Sequence, residues 1–450
     1  MSSRARKLRA GCAAGLLALS MSACSYMPSW LGGDGTDDKP KLTGKRIDVL
    51  NDLAQIKADD SLNDTPVSVP DAKANENWRQ AGGAPQGLTG NLQISGLKKS
   101  DRTHIGDGNK WEQPLYSAPI VADGMVFAMD AKGYVTAHDA ANIDKVKWAN
   151  KSAVAKHEPD ILGGGLAFDN ERIYVTTGRG NVYALDAKTG KEIWRQFIGI
   201  PLRAAPKAGD GRVYIVSVDN QFFALDADSG KQIWNHRGMN ENAGFLSSVS
   251  PAVSQTVVIA PYSSGEIHAL DSVSGQDLWS DSLIKPRRNI ATFGFSGIGG
   301  DPIIGDDAVY AAGSSGLFAA FSLQTGRRMW QQEISSLNTP WIAGDFIYMI
   351  STDSQVVCLY RIDGRIKWVK QLQRFEDEKK NVNPYVWLGP VMAGGQLYIA
   401  STHGEMLMLS PKDGTTSGKM DIPENVTNAP VVAGGRIYFI TPDARLNVLY

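Results

Sequence analysis

Cysteine is scarce in this chain of 450 residues, and the three present do not read as a disulfide framework. Cys12 and Cys24 fall in the N-terminal segment; Cys358 falls in a predicted strand, where a small buried hydrophobe is the ordinary role. Histidine is equally thin: His104, His138, His157, His236, His268 and His403 show no pair at metal-ligand spacing, so no metal site is expected. His138 and His268 fall at repeat positions, where strand packing explains them. An excess of one charge is also missing. With 46 basic against 47 acidic residues the formal charge is −1, which gives no overall grip on nucleic acid. No G-x-S-x-G elbow is present, and the glycine-rich stretch 294–300 lacks the Lys-Ser/Thr of a phosphate loop. No catalytic residue is therefore assigned.

Glycine and repetition are what the chain has in quantity. Forty-seven Gly and 21 Pro, with charged residues at 21%, suit a turn-rich all-β fold. The segment YALDAKTGKEIW at 183–194 returns as FALDADSGKQIW at 223–234, HALDSVSGQDLW at 268–279, AAFSLQTGRRMW at 319–330 and LYRIDGRIKW at 359–368. A looser copy, AHDAANIDKVKW, stands at 137–148. A period of roughly 40 to 50 residues is that of a four-stranded propeller blade.

The chemistry of the unit predicts its shape. Asn181 to Leu185 alternates as a strand with one buried face. Asp186 accepts backbone N–H bonds in a turn, Gly190 supplies a positive φ, and Lys191 to Trp194 returns as a strand whose indole covers the blade's outer edge. Asp186, Asp226 and Asp271 accordingly read as turn-formers rather than acids or bases.

Counting units gives seven blades, at 117–150, 163–198, 203–237, 247–283, 298–333, 338–372 and 388–421; the seventh has Gly418 where Trp is expected. Residues 429–450 supply three further strands. Asn77-Trp78-Arg79-Gln80 copies the end of the repeat with no repeat before it, so residues 76–80 are expected to complete an eighth blade. The predicted fold is an all-β, eight-bladed β-propeller over residues 76–450, with four-stranded antiparallel blades and a ring closed by an N-terminal strand.

Ahead of it, Arg4, Arg6, Lys7 and Arg9 precede an apolar run from Ala10 to Leu19 and then Ser20-Met21-Ser22-Ala23-Cys24. The run is too short for the ~20 residues of a membrane span, and its flanks are those of a secretory signal. Small residues before a Cys resemble a bacterial lipoprotein cleavage site, so 1–23 is expected to be a lipoprotein signal peptide with Cys24 the lipidated residue, the alternative being an ordinary cleaved signal in which Cys24 is incidental. Residues 24–75, rich in Gly, Asp, Pro, Ser and Lys, read as a tether.

Lipoprotein site, tether, ALD-type blades and closing strand together resemble the BamB family of outer-membrane protein assembly factors. Asn338 to Gly344 and Phe375 to Lys380 are similar to alphaproteobacterial members. The resemblance implies a non-enzymatic scaffold of the β-barrel assembly machinery, lipid-anchored at the periplasmic face of the outer membrane. Its implied partners are the POTRA domains of BamA and other BAM subunits. From architecture alone, the sheet edges of a propeller also offer places where unfolded β-barrel clients could add by strand pairing.

The family's Leu-x-Leu-Arg-like contact motif is matched by Ile200-Pro201-Leu202-Arg203, so Ile200, Leu202 and Arg203 are the implied BamA-binding residues. On an exposed connection the aliphatics would desolvate and the guanidinium would fix orientation; otherwise Leu202 folds back against its own blade. A second contact loop near Phe245 to Val249 carries Leu246-Ser247-Ser248 in place of the family's acidic positions. Arg287 and Arg288 either share that face or are ordinary surface charge. The repeat also resembles that of pyrroloquinoline-quinone dehydrogenases, whose adjacent cysteines, Ca²⁺ ligands and catalytic Asp are not recognisable here, so no cofactor is expected.

Overall fold

A short strand that is apolar on one face gains little by itself; it must pair sideways and then stack. In the computed structural model each copy of the repeat forms the last two strands of a four-stranded antiparallel meander. Residues 56–87, 90–108, 117–150, 163–202, 204–239, 249–284, 297–314 and 316–450 are described. In the second blade the strands are Gly164–Asp169, Arg172–Thr177, Asn181–Asp186 and Glu192–Phe197. Tyr183 lies between Val175 and Arg195. Among the described residues seven sheets have four strands, and Trp387–Ala393 to Thr416–Asp421 form an eighth meander within a six-stranded sheet. Among the described residues the one helical turn is a 3₁₀ turn at Asp60–Leu62. The fold is the predicted all-β propeller.

The repeat's Gly and Trp bind one blade to the next. Trp148, Trp194, Trp234, Trp279, Trp330 and Trp368 each lie against the turn glycine of the following blade, where an added Cβ would approach the indole to between 2.4 Å (Gly190) and 2.9 Å (Gly414). Each indole Nε1 also donates to a carbonyl of that turn, as from Trp194 to Ala227 at 2.9 Å and from Trp279 to Leu323 at 2.8 Å. The seventh blade lacks this latch: the Met408 side chain occupies the space beside Gly418. Between the eighth and first blades an arginine substitutes, Arg436 donating to Ala140 O at 2.8 Å.

The closing strand differs from expectation. Ser100–His104, not residues 76–80, pairs with Arg445–Leu449 to complete the eighth blade. Residues 78–87 and 90–95 instead visit the inner strands of all eight blades in turn. Trp78 pairs with Val121 of the first blade, Arg79 O accepts from Phe168 N of the second, and Gln80 bonds both backbone groups of Ala208 in the third. Pro85 O, Gln86 O and Gly90 N then meet Val253, Ile304 and Ile342. Leu92 O and Ser95 N finish on Gly394 and Gly435.

This strap crosses the face that carries the first-to-second and third-to-fourth strand turns. Part of the expected tether is likewise docked: Asp59 N donates to Ile366 O at 2.8 Å, and Asn75 Nδ2 to Val432 O at 2.8 Å. Cys24 and the signal segment lie outside the described residues.

Candidate partner-binding face

The opposite face carries the connections between blades, and its construction follows from unpaired backbone at strand ends, which must find partners nearby. At the end of the second blade, Ile198 N donates to Gly180 O at 2.7 Å, within that blade's own turn. Pro201 O accepts from Val218 N of the third blade at 3.0 Å, and Leu202 forms a bridge with Ser217. The connection is thus held to two turns by its own backbone. The same staple recurs where Thr352 N donates to Ser335 O and Thr402 N to Val386 O.

Backbone bonding leaves several side chains of these connections free to point outward. Phe197 is 65% exposed, Met239 60%, Leu337 50% and Val386 51%. They belong to four different connections of one face, and Val218 stands in a turn beside the first of them. Isolated surface hydrophobics are ordinary, but a series around one face of a ring suits partner contact. Between the sixth and seventh blades the connection adds a hairpin, Phe375–Asp377 paired with Val382–Pro384.

The implied contact residues are divided by this geometry. Ile200 is half-buried against the core between the second and third blades. Leu202 is not on the exposed surface: it is 0% exposed, packed in the cluster that includes Tyr174, Trp194 and Phe223. Its bridge to Ser217 turns the side chain inward, so it anchors the connection. Arg203, Leu246-Ser247-Ser248, Arg287 and Arg288 lie outside the described residues. Phe197 and Met239 escape a sequence reading because each sits just past a repeat, where nothing in the pattern distinguishes them.

In the centre of the ring, Lys207 is buried beneath the strap and Asp301 lies half-buried near it. Lys207 donates from Nζ to Ala81 O and to Ala84 O, the latter at 2.9 Å, and burial pushes its ammonium down to about 8 despite the nearby Asp301 charge. Burial pushes the Asp301 carboxyl up, opposed by Lys207 and by the bond from Ser250 N at 2.8 Å. Lys207 secures the strap to the third blade, and Asp301 accepts from the fourth. The repeat aspartates act as turn-formers: Asp186 accepts from Thr189 N at 2.7 Å and Asp226 from Ser229 N at 2.8 Å. His138 is likewise a packing residue, 2.7 Å from Ile143 O.

Comparison with known proteins agrees with this architecture. Residues 131–370 match the family described as outer membrane protein assembly factor BamB. The chain is 28% identical over 330 residues to the outer membrane protein assembly factor BamB of Salmonella typhimurium, covering 72% of this chain and 82% of that protein. Among solved structures, BamB from Moraxella catarrhalis superposes with a TM-score of 0.64 at 22% identity, covering 78% of this chain and 99% of that one. Quinohemoprotein alcohol dehydrogenase from Comamonas testosteroni superposes with a TM-score of 0.65 at 13% identity, covering 84% and 81%. At these identities the two structural likenesses concern the fold alone.

Proposed function

Because the chain belongs to the BamB family of outer membrane protein assembly factors, we propose that it is a non-enzymatic scaffold of the β-barrel assembly machinery. In this reading Cys24 carries the acyl chains, the protein is held at the periplasmic face of the outer membrane, and the connection face of the propeller binds the POTRA domains of BamA. The observation that carries the reading is the family match, because residues 131–370 include the connection at 198–206. That connection is rigid by its backbone bonds and flanked by exposed Phe197 and Val218, which lowers the ordering cost of docking.

Ile200 and Arg203 make the contact directly, and Leu202 supports them from within. The outer strands of the second to fifth blades, with Ile193, Ile233, Leu278 and Met329 exposed, offer edges to unfolded barrel strands.

Purification of the acylated protein from membranes in mild detergent tests the assignment. BamA should accompany the native chain and be depleted about tenfold or more from an Ile200→Glu, Arg203→Glu variant whose thermal unfolding is unchanged. Leu202 is left intact because a charge there would disrupt the core. Absence of BamA from the native preparation would overturn the proposed role; its retention by the variant would overturn the contact residues.

A further inference from the structure

His236 and His268 are 32 positions apart in sequence, yet adjacent blades set their ring centroids 4.9 Å apart. Between them stands Asp277, one oxygen 3.0 Å from His236 Nε2 and the other 2.7 Å from His268 Nδ1. One ligand atom from each of the three lies within 4.8 Å of the other two. We propose that His236, His268 and Asp277 form a zinc-binding site joining the third and fourth blades, with solvent in the fourth position.

The neighbouring slots of the fold give a control for this assignment. His236 lies two residues past its blade's Trp, and Asp277 two residues past the next blade's turn glycine. The equivalent slots one blade on hold Asp281 and Arg328, an ion pair at 2.7 Å. An inter-blade polar pair is therefore ordinary here, and a second imidazole is not. His268 occupies the position of Tyr183 and Phe223 in the earlier copies and turns an aromatic packing slot into a third donor.

The donor set suits zinc, which binds imidazole nitrogen at about 2.0–2.1 Å and carboxylate oxygen at about 2.0–2.2 Å, so tetrahedral ligands stand roughly 3.3 Å apart. The nitrogen-to-oxygen distances already approach that value, and the ligand atoms, all within 4.8 Å of one another, draw together as the ion binds. The other nitrogen of His236 faces oxygen, as an oriented metal ligand requires. His236 Nδ1 is 2.6 Å from the Tyr262 hydroxyl, and His268 Nε2 is 3.8 Å from Glu266 Oε1.

Asp277 is half exposed, which gives the ion a route in and leaves room for water. Glu266 also accepts from Met239 N at 2.8 Å, so the joint extends to the connection face.

The test uses the full mature chain without a polyhistidine tag, stripped with chelator and titrated with zinc in a calorimeter at neutral pH. One zinc per chain should bind, the unfolding temperature should rise and fall back on chelation, and cobalt should give the visible absorption of a four-coordinate site. His268→Ala, and Asp277→Asn as a half-exposed change that spares the fold, should each weaken binding tenfold or more. No uptake by the native chain at tenfold excess, or equal uptake by native and both variants, would overturn the site.

Discussion

Gly230 carries two constraints at once. Its φ of +71° is costly for any residue with a Cβ, and an added Cβ would stand 2.5 Å from the Trp194 ring of the preceding blade. Gly211, with φ of +74°, has nothing within 4 Å of the same point. Gly211→Ala should therefore cost about 1 kcal/mol from backbone strain alone. Gly230→Ala should cost about 1–3 kcal/mol more, because the indole must leave its place. Urea unfolding of the two variants beside the native chain measures the difference, and equal losses would mean that the indole yields without penalty. The fixed interval from Gly to Trp was legible in sequence, and so was each residue's separate role. That the Trp of one blade meets the Gly of the next was not, because the interval belongs to one blade and the contact to two. His236 and His268 escaped notice for the same reason: spacing rules for ligands look along a strand, and the ring pairs residues a repeat apart.

Among the elements, the strand that closes the ring had no visible pattern. Ser100–His104 is mostly exposed and lacks apolar alternation, since its task is to satisfy the backbone of Arg445–Leu449 and shield an edge. Trp78 drew the assignment instead by copying the repeat's ending, yet its buried ring stacks near Trp341 at 6.3 Å. Leu202 shows a similar limit: aliphatic residues in a connection read alike whether they face a partner or the core, and burial decides. Two truncations separate the roles of the N-terminal pieces. Removing the chain through residue 75 deletes docking at the sixth and eighth blades, buried Leu62 and Val67, and the strand Ala72–Lys73 beside the strap, and should leave a cooperative, less stable propeller. Removing it through residue 104 deletes the strap and the closing strand together. That protein should unfold at a markedly lower temperature and aggregate through the open edge. Light scattering during thermal unfolding checks both, and matching behaviour of the two truncations would mean that the ring does not depend on residues 76–104.

Viewed whole, the ring has two unlike ends. One is crossed by the strap, which reaches every blade and buries Gln80 and Lys207 on the inner strands. The other bears the connections with Phe197, Met239, Leu337 and Val386 exposed. A macromolecular partner gains most where apolar side chains already stand on a rigid backbone, because little ordering entropy then opposes docking. If the connection end is where BamA docks, charge placed there should weaken association while charge at the strap end should not. Phe197→Glu combined with Leu337→Glu touches two connections without entering the core, and should cut the BamA recovered with the protein by tenfold or more. Lys412→Glu reverses an exposed charge on a turn at the strap end and should leave recovery within about twofold, since isolated surface charges contribute little. Quantifying BamA from matched membranes, with thermal unfolding run in parallel, reads both variants on one scale. Loss with Lys412→Glu and retention with the double variant would move the docking surface to the strap end and remove the connections from the proposal.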